Sequence, residues 1–154
     1  MNRRLHILHL EDEPDFAELV QSLLAQDGLD AQIKRVDNRA DFAAALADEM
    51  FDAILSDFRL PSFCGLDALG IVREKFPHTP FILVSGAIGE RAAIESLKAG
   101  ATDYVLKQNP DRLPSAIRRA VQEAEERAQR HAAQAELNRR ENYFRALTEN
   151  SLDV

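Results

Sequence analysis

The sequence predicts an α/β fold in which helices cover both sides of a parallel sheet, and two observations carry that expectation. Short apolar runs alternate with helical patterns along the chain, as repeated βα units require. Most of those runs are too uniformly apolar for a sheet with one wet face. From about Leu113 to roughly Leu147 the pattern stays helical, with no further strand to break it.

The expected strands are Leu5 to Leu10, Ala31 to Val36, Phe51 to Ser56, Pro80 to Val84 and Asp103 to Leu106. The first helix is expected to open at Pro14, whose fixed φ suits a first turn, beside the acidic Glu11, Asp12, Glu13 and Asp15. Phe16, Leu19, Val20, Leu23 and Leu24 recur at core-facing spacing, and Gly28 ends the pattern. Asn38 is placed to cap a second helix reaching Met50. A third, Leu66 to Phe76, stops before Pro77, and a fourth, Glu90 to Lys98, is closed by Gly100. Beyond Val121 the helical pattern turns rich in Ala, Glu, Arg and Gln without Gly or Pro, so the domain proper is expected to span residues 1–122.

Composition narrows the function classes. A chain of 154 residues with 45% hydrophobic content fills one core plus a short appendage. The single cysteine, Cys64, excludes an internal disulfide, and His6, His9, His78 and His131 are not spaced as a metal-ligand set. His6 and His9 also face opposite sides of their strand. The start is too short and interrupted for a signal peptide, and no apolar run reaches membrane-spanning length. A soluble, cytoplasmic protein is expected. With a net charge of −7 and no stretch of Lys and Arg free of neighbouring acids, direct nucleic-acid binding is not expected.

The chemistry concentrates at strand ends. Glu11 and Asp12 follow the first strand, Asp57 the third, Ser85 closes the fourth and Lys107 follows the fifth. Ligands of open parallel sheets bind outside the carboxyl ends of the strands, where strand order reverses. If the first and third strands are neighbours, three carboxylates converge, and a hard divalent cation with oxygen ligands, Mg²⁺ or Mn²⁺, relieves their repulsion. Lys107 adds a fixed positive charge and Ser85 a hydroxyl. A metal, an ammonium and a hydroxyl around one carboxylate are what phosphoryl transfer uses, with Asp57 as nucleophile forming an acyl phosphate.

Four motifs stand in order: Leu10-Glu11-Asp12-Glu13-Pro14; Ile54-Leu55-Ser56-Asp57-Phe58-Arg59-Leu60-Pro61 with Gly65; Leu83-Val84-Ser85-Gly86; and Asp103-Tyr104-Val105-Leu106-Lys107. Together, over roughly residues 5 to 122, they resemble the response-regulator receiver family of two-component signalling. The resemblance implies a doubly wound, flavodoxin-like five-stranded sheet in the order 2-1-3-4-5. It also implies that a histidine kinase or histidine phosphotransfer protein donates the phosphoryl group to Asp57. Glu11, Asp12, Asp57 and the backbone carbonyl of Arg59 would then form the metal shell, while Ser85 and Lys107 meet phosphoryl oxygens. Tyr104 would swing into the space that Ser85 leaves, and the face built from the fourth helix, fifth strand and fifth helix would change shape. Two positions depart from the family pattern. Gln108 stands where the family usually has proline, so a trans peptide is expected after Lys107, and Cys64 stands where Asp is frequent.

Each residue alone has an ordinary reading. Glu11, Asp12 and Asp15 suit any acidic helix start, Asp57 a loop acid, Ser85 a turn, Lys107 a solvated strand end and Tyr104 a sheet aromatic. Arg59 is either a solvated loop charge or a side chain lying over the site. Two rival functions stay open: an aspartate-nucleophile phosphatase or phosphotransferase, and a receiver-like module that binds without being phosphorylated. The former usually places a second carboxylate two residues past the nucleophile, where Arg59 stands. The latter is at odds with the full residue set.

The tail divides into a helical, coiled-coil-like linker at 123–141 and a segment at 142–154, Asn142-Tyr143-Phe144 onward, that resembles the opening of a PAS sensory domain. The linker's best seam, Ile117, Val121, Ala124, Ala128, His131 and Ala135, suits a close but weak parallel homodimer. Phosphorylation at Asp57 would reshape the fifth helix and pass through it to a following PAS domain.

Overall fold

The computed structural model describes residues 3–86 and 90–152, so the last two residues of the segment expected at 142–154, Asp153 and Val154, lie outside the described residues. Five strands, β1 (Leu5–Leu10), β2 (Ala31–Val36), β3 (Ala53–Ser56), β4 (Phe81–Ser85) and β5 (Asp103–Leu106), form one sheet. Every pairing is parallel and the order is β2-β1-β3-β4-β5. Helices α1 (Pro14–Gln26), α2 (Arg39–Asp48), α3 (Gly65–Lys75) and α4 (Glu90–Lys98) connect successive strands, and α5 (Leu113–Leu152) follows a single 3₁₀ turn at Pro110–Arg112. Among the described residues no helix is long and apolar enough to cross a membrane.

Two cores sit on opposite faces of the sheet because successive strand side chains point to opposite sides. Leu8, Leu10, Ile54 and Leu83 pack with Phe42, Leu46, Leu69 and Val72 of α2 and α3. Ile7, Leu55, Ile82, Val84 and Val105 pack with Phe16, Val20 and Leu24 of α1 and with Leu113 and Ile117 of α5. Each fully buried Leu, Ile or Phe of this kind contributes about 1.5–3 kcal/mol.

Local chemistry fixes the element ends. Asn38 accepts the Asp41 N–H at 2.8 Å as the cap of α2. Gly28, at φ +75°, takes the left-handed turn after α1, and the following Leu29 N–H closes back on the Leu24 carbonyl at 2.9 Å. Several expected boundaries move by one to five residues. β3 begins at Ala53 rather than Phe51, because Asp52 turns its carboxylate to the His6 N–H and to Arg3. β4 begins at Phe81, since Pro80 has only a carbonyl to offer, which Ile54 N–H uses at 2.9 Å. α2 stops at Asp48, where Glu49 turns extended and leaves Met50 exposed. α3 runs one residue ahead of its expected bounds, and α5 continues past Leu147 to Leu152.

Burial bears on three further expectations. Leu19 is exposed rather than core-facing, because the α1 stripe is centred on Phe16, Val20 and Leu24 at four-residue spacing and Leu19 falls at its rim. β2, an edge strand, alternates wet and dry positions and so escapes the uniformly apolar pattern. Ile117 and Val121 are spent on the core that includes α1, so the small-residue seam of the tail begins at Ala124. By internal packing the chain falls into two units, Met1–Val121 and Gln122–Val154. Every described residue of the second from Glu126 onward is exposed.

Gly65 opens α3 against the loop after β3. A β-carbon there would overlap the Asp57 carbonyl and stand 3.0 Å from Leu83 Cδ2 and from Phe58 Cα. Close backbone approach of this kind requires glycine. Gly65→Ala is expected to destabilise the domain by about 1–3 kcal/mol, read as a fall in urea midpoint at unchanged slope. A midpoint equal to that of the unsubstituted chain would show that the loop yields freely.

Candidate functional site

The sheet's ladder places the site residues one step past their strands. Asp57 donates its N–H to the Leu10 carbonyl at 2.9 Å, Lys107 donates its own to the Ser85 carbonyl at 2.9 Å, and Glu11 donates to Val36 at 2.9 Å. Each is thus held by one further rung beyond regular pairing, which aligns the carboxyl ends of the strands. Glu11, Asp12 and Asp57 bring carboxylate oxygens within 4.8 Å of one another. At that separation each charged pair repels by about 3 kcal/mol at the effective dielectric of a protein.

Lys107 answers part of that repulsion. Its Nζ donates to Glu11 Oε1 at 2.6 Å and to Asp57 Oδ2 at 3.1 Å. Burial alone would lower the lysine's pKa, but the two carboxylates outweigh it and hold the ammonium above its ordinary value. Glu11 is fully buried, and its Oε2 has no protein hydrogen-bond partner. Burial is the largest influence on this carboxyl and drives it up to about 7; the Lys107 hydrogen bond pulls it down, and the Asp57 charge pushes it up again. A buried carboxylate oxygen without a donor, beside two more carboxylates, fits an oxygen-coordinated divalent cation.

The remaining expected residues surround this cluster unequally. Ser85 is buried at the end of β4, paired in register with Leu106. Tyr104 packs against the core of α2 and α3, and its N–H donates to Asp103 Oδ1 at 2.7 Å. The Arg59 side chain is exposed, while its backbone pairs with Cys64 across the β3–α3 loop. Cys64 stands at the N-cap position of α3 without a side-chain capping bond. The described residues contain no cis peptide bond, so the Lys107–Gln108 bond is trans as expected.

Several features of the site and its surroundings lie beyond the sequence reading. His9, on β1, is buried with Nδ1 lacking a protein partner, and burial first, then Lys107, lowers its pKa to about 4, so the ring stays neutral. Two histidines inside an otherwise apolar strand, with His9 toward its buried end, are the available signal. Arg35 donates to the Glu11 carbonyl at 3.0 Å, a contact between neighbouring strands that spacing does not reveal. Asp103 accepts from Arg112 at 3.0 Å and pairs with Arg119 at 3.8 Å, while Arg112 also donates to the Tyr104 carbonyl. The start of α5 is thereby tied to the backbone of β5, and Arg118 ties it to Asp27 after α1.

The family model of the response regulator receiver domain matches residues 7–118. The response regulator protein PilR of Pseudomonas aeruginosa is 36% identical over 104 residues, covering 68% of this chain and 23% of that protein. The nitrogen assimilation regulatory protein NtrX of Azorhizobium caulinodans is 33% identical over 120 residues, covering 75% and 26%. This chain therefore spans about a quarter of the length of these curated relatives. Among solved structures, the signal receiver domain of a putative LuxO repressor protein from Vibrio parahaemolyticus superposes with TM-score 0.74 at 23% identity, covering 82% of this chain and 97% of that one. That similarity bears on the fold. The BeF3-activated DrrB receiver domain gives TM-score 0.68 at 25% identity, covering 78% and 99%.

Proposed function

The chain belongs to the response-regulator receiver family, and from that premise we propose that it accepts a phosphoryl group on Asp57 and signals through α4, β5 and α5. The observation that carries this reading is Lys107, whose ammonium spans Glu11 and Asp57 at the mouth of the sheet. The donor is a phosphohistidine of a histidine kinase or phosphotransfer protein. The Asp57 carboxylate attacks phosphorus, the P–N bond breaks, and the imidazole leaves with a proton from solvent, so that Asp57 becomes an acyl phosphate. Lys107 holds one carboxylate oxygen before transfer and meets phosphoryl oxygen afterwards, and the Ser85 hydroxyl donates to another. Glu11, Asp12, Asp57 and the Arg59 carbonyl would hold Mg²⁺ or Mn²⁺, which supplies charge neutralisation for the incoming phosphoryl group. The module performs only its own phosphorylation and dephosphorylation, and turns over no other substrate.

With Mg²⁺ and acetyl phosphate, intact mass is expected to rise by one phosphoryl group. Asp12→Ala removes one carboxylate of the cluster and is expected to raise the Mg²⁺ concentration for half-maximal labelling about tenfold, since a hard cation is held by ligand charge. An unchanged Mg²⁺ requirement would remove Asp12 from the metal shell.

The output side of the reading rests on the ties around Asp103. Tyr104 shares its backbone with the Arg112–Asp103–Arg119 group, so inward movement of Tyr104 would disturb the root of α5. Within the tail, three alanines, Ala124, Ala128 and Ala135, form a stripe with His131, whereas Leu137, Phe144 and Leu147 are exposed on a register two residues later, about 200° round the helix. The two stripes suit different neighbours. The first, in the 123–141 linker, fits a weak parallel homodimer, and the second, leading into 142–154, fits the start of a PAS domain. Beryllofluoride is expected to raise the dimer fraction seen by light scattering, and a strictly monomeric chain in both states would remove the dimer.

A further inference from the structure

We propose that Phe16 is a positioning residue for Lys107, holding its ammonium over the ring face in both states of the switch; the inference rests on Lys107 acting in phosphoryl transfer. Lys107 Nζ lies 4.6 Å from the centre of the Phe16 ring. An ammonium so placed is attracted by the negative face of the ring, the more so when it is shielded from water, and the Lys107 side chain retains only 16% of its exposure. The ring is itself confined. Phe16 is buried in the core between α1 and α5, and His9 meets it edge-on at 6.3 Å between ring centres.

The need for such a seat follows from the chemistry of lysine. Its ammonium rides on a flexible four-carbon stem, so the two carboxylates position it only while both carry charge. Phosphorylation moves the negative charge of the Asp57 carboxylate outward onto the phosphoryl oxygens, away from the oxygen that Lys107 holds at 3.1 Å, and a divalent cation draws on the charge of Glu11. The ring's attraction is unaffected by either event. It keeps Nζ within reach of the new phosphoryl oxygens instead of letting the side chain relax into solvent. A leucine would fill similar space in α1 but present no such face.

The test is a double-mutant cycle on labelling by acetyl phosphate at saturating Mg²⁺, with thermal melts of each protein. Phe16→Leu is expected to slow labelling about fivefold in the native background and to have no further effect in Lys107→Ala, while Phe16→Tyr, which keeps the ring face, restores the native rate. Equal slowing by Phe16→Leu in both backgrounds, or none in either, overturns the proposal. Because Phe16→Leu could also loosen the core, a second measurement uses the unsubstituted protein. The Lys107 ε-methylene protons are expected to be shifted upfield by the ring current relative to those of Lys34, Lys75 and Lys98, and coincident shifts overturn the proposal. Failure of Asp57 labelling in the unsubstituted chain would instead sink the underlying phosphoacceptor reading, which keeps the two outcomes distinct.

Discussion

Asp57→Asn is expected to abolish the single phosphoryl adduct formed with Mg²⁺ and acetyl phosphate, while leaving the domain folded. The amide replaces one oxygen by an NH₂ group, so the side chain loses its negative charge and its nucleophilicity together. Its backbone rung to Leu10 is unaffected. The fold should tolerate the change because the carboxylate sits among like charges, and relief of repulsion of about 3 kcal/mol per pair with Glu11 and Asp12 offsets the loss of its ion pair with Lys107 at 3.1 Å. The melting temperature is therefore expected to hold or rise. Intact-mass spectrometry decides the matter: a labelled Asp57→Asn protein would mean that another side chain accepts the phosphoryl group, and Asp12 would be the first to test.

Why the site could be read ahead of the structure is a matter of where its residues stand. Glu11, Asp57, Ser85 and Lys107 end or directly follow apolar runs, and a parallel sheet aligns such ends at one edge whatever the details of its helices. Strand order came from resemblance to a family, because nothing in a run's own composition says which run it will pair with. The convergence of three carboxylates depended on that order. Boundaries slipped where side chains compete for backbone groups, as Asp52 does at His6, or where proline removes a donor, as at Pro80. Leu19 was misplaced because the periodic stripe is wider in sequence than the buried arc. Contacts such as Lys107 over Phe16 and Arg112 with Asp103 were out of reach, since they join side chains of different elements through distances that spacing does not encode.

Lys107→Ala is expected to move two observables in opposite directions. Labelling by acetyl phosphate should slow by about 10²-fold, the usual loss when one preorganised donor to a developing oxyanion is removed. Mg²⁺ should nonetheless bind more tightly. In the structure the ammonium occupies Glu11 Oε1 at 2.6 Å and Asp57 Oδ2 at 3.1 Å, so a divalent cation entering the cluster must share those oxygens with a like charge. Removing the lysine ends that competition and leaves Glu11, already lacking a partner at Oε2, with no hydrogen bond from Lys107. A buried carboxyl in that position has more to gain from a cation, so Mg²⁺ should raise the melting temperature of Lys107→Ala by more than it raises that of the unsubstituted chain. Titration calorimetry with Mg²⁺, set beside labelling rates, separates the two effects. Slower labelling together with weaker Mg²⁺ binding would mean that Lys107 organises the carboxylates rather than competing for them, and its part in transfer would then be indirect.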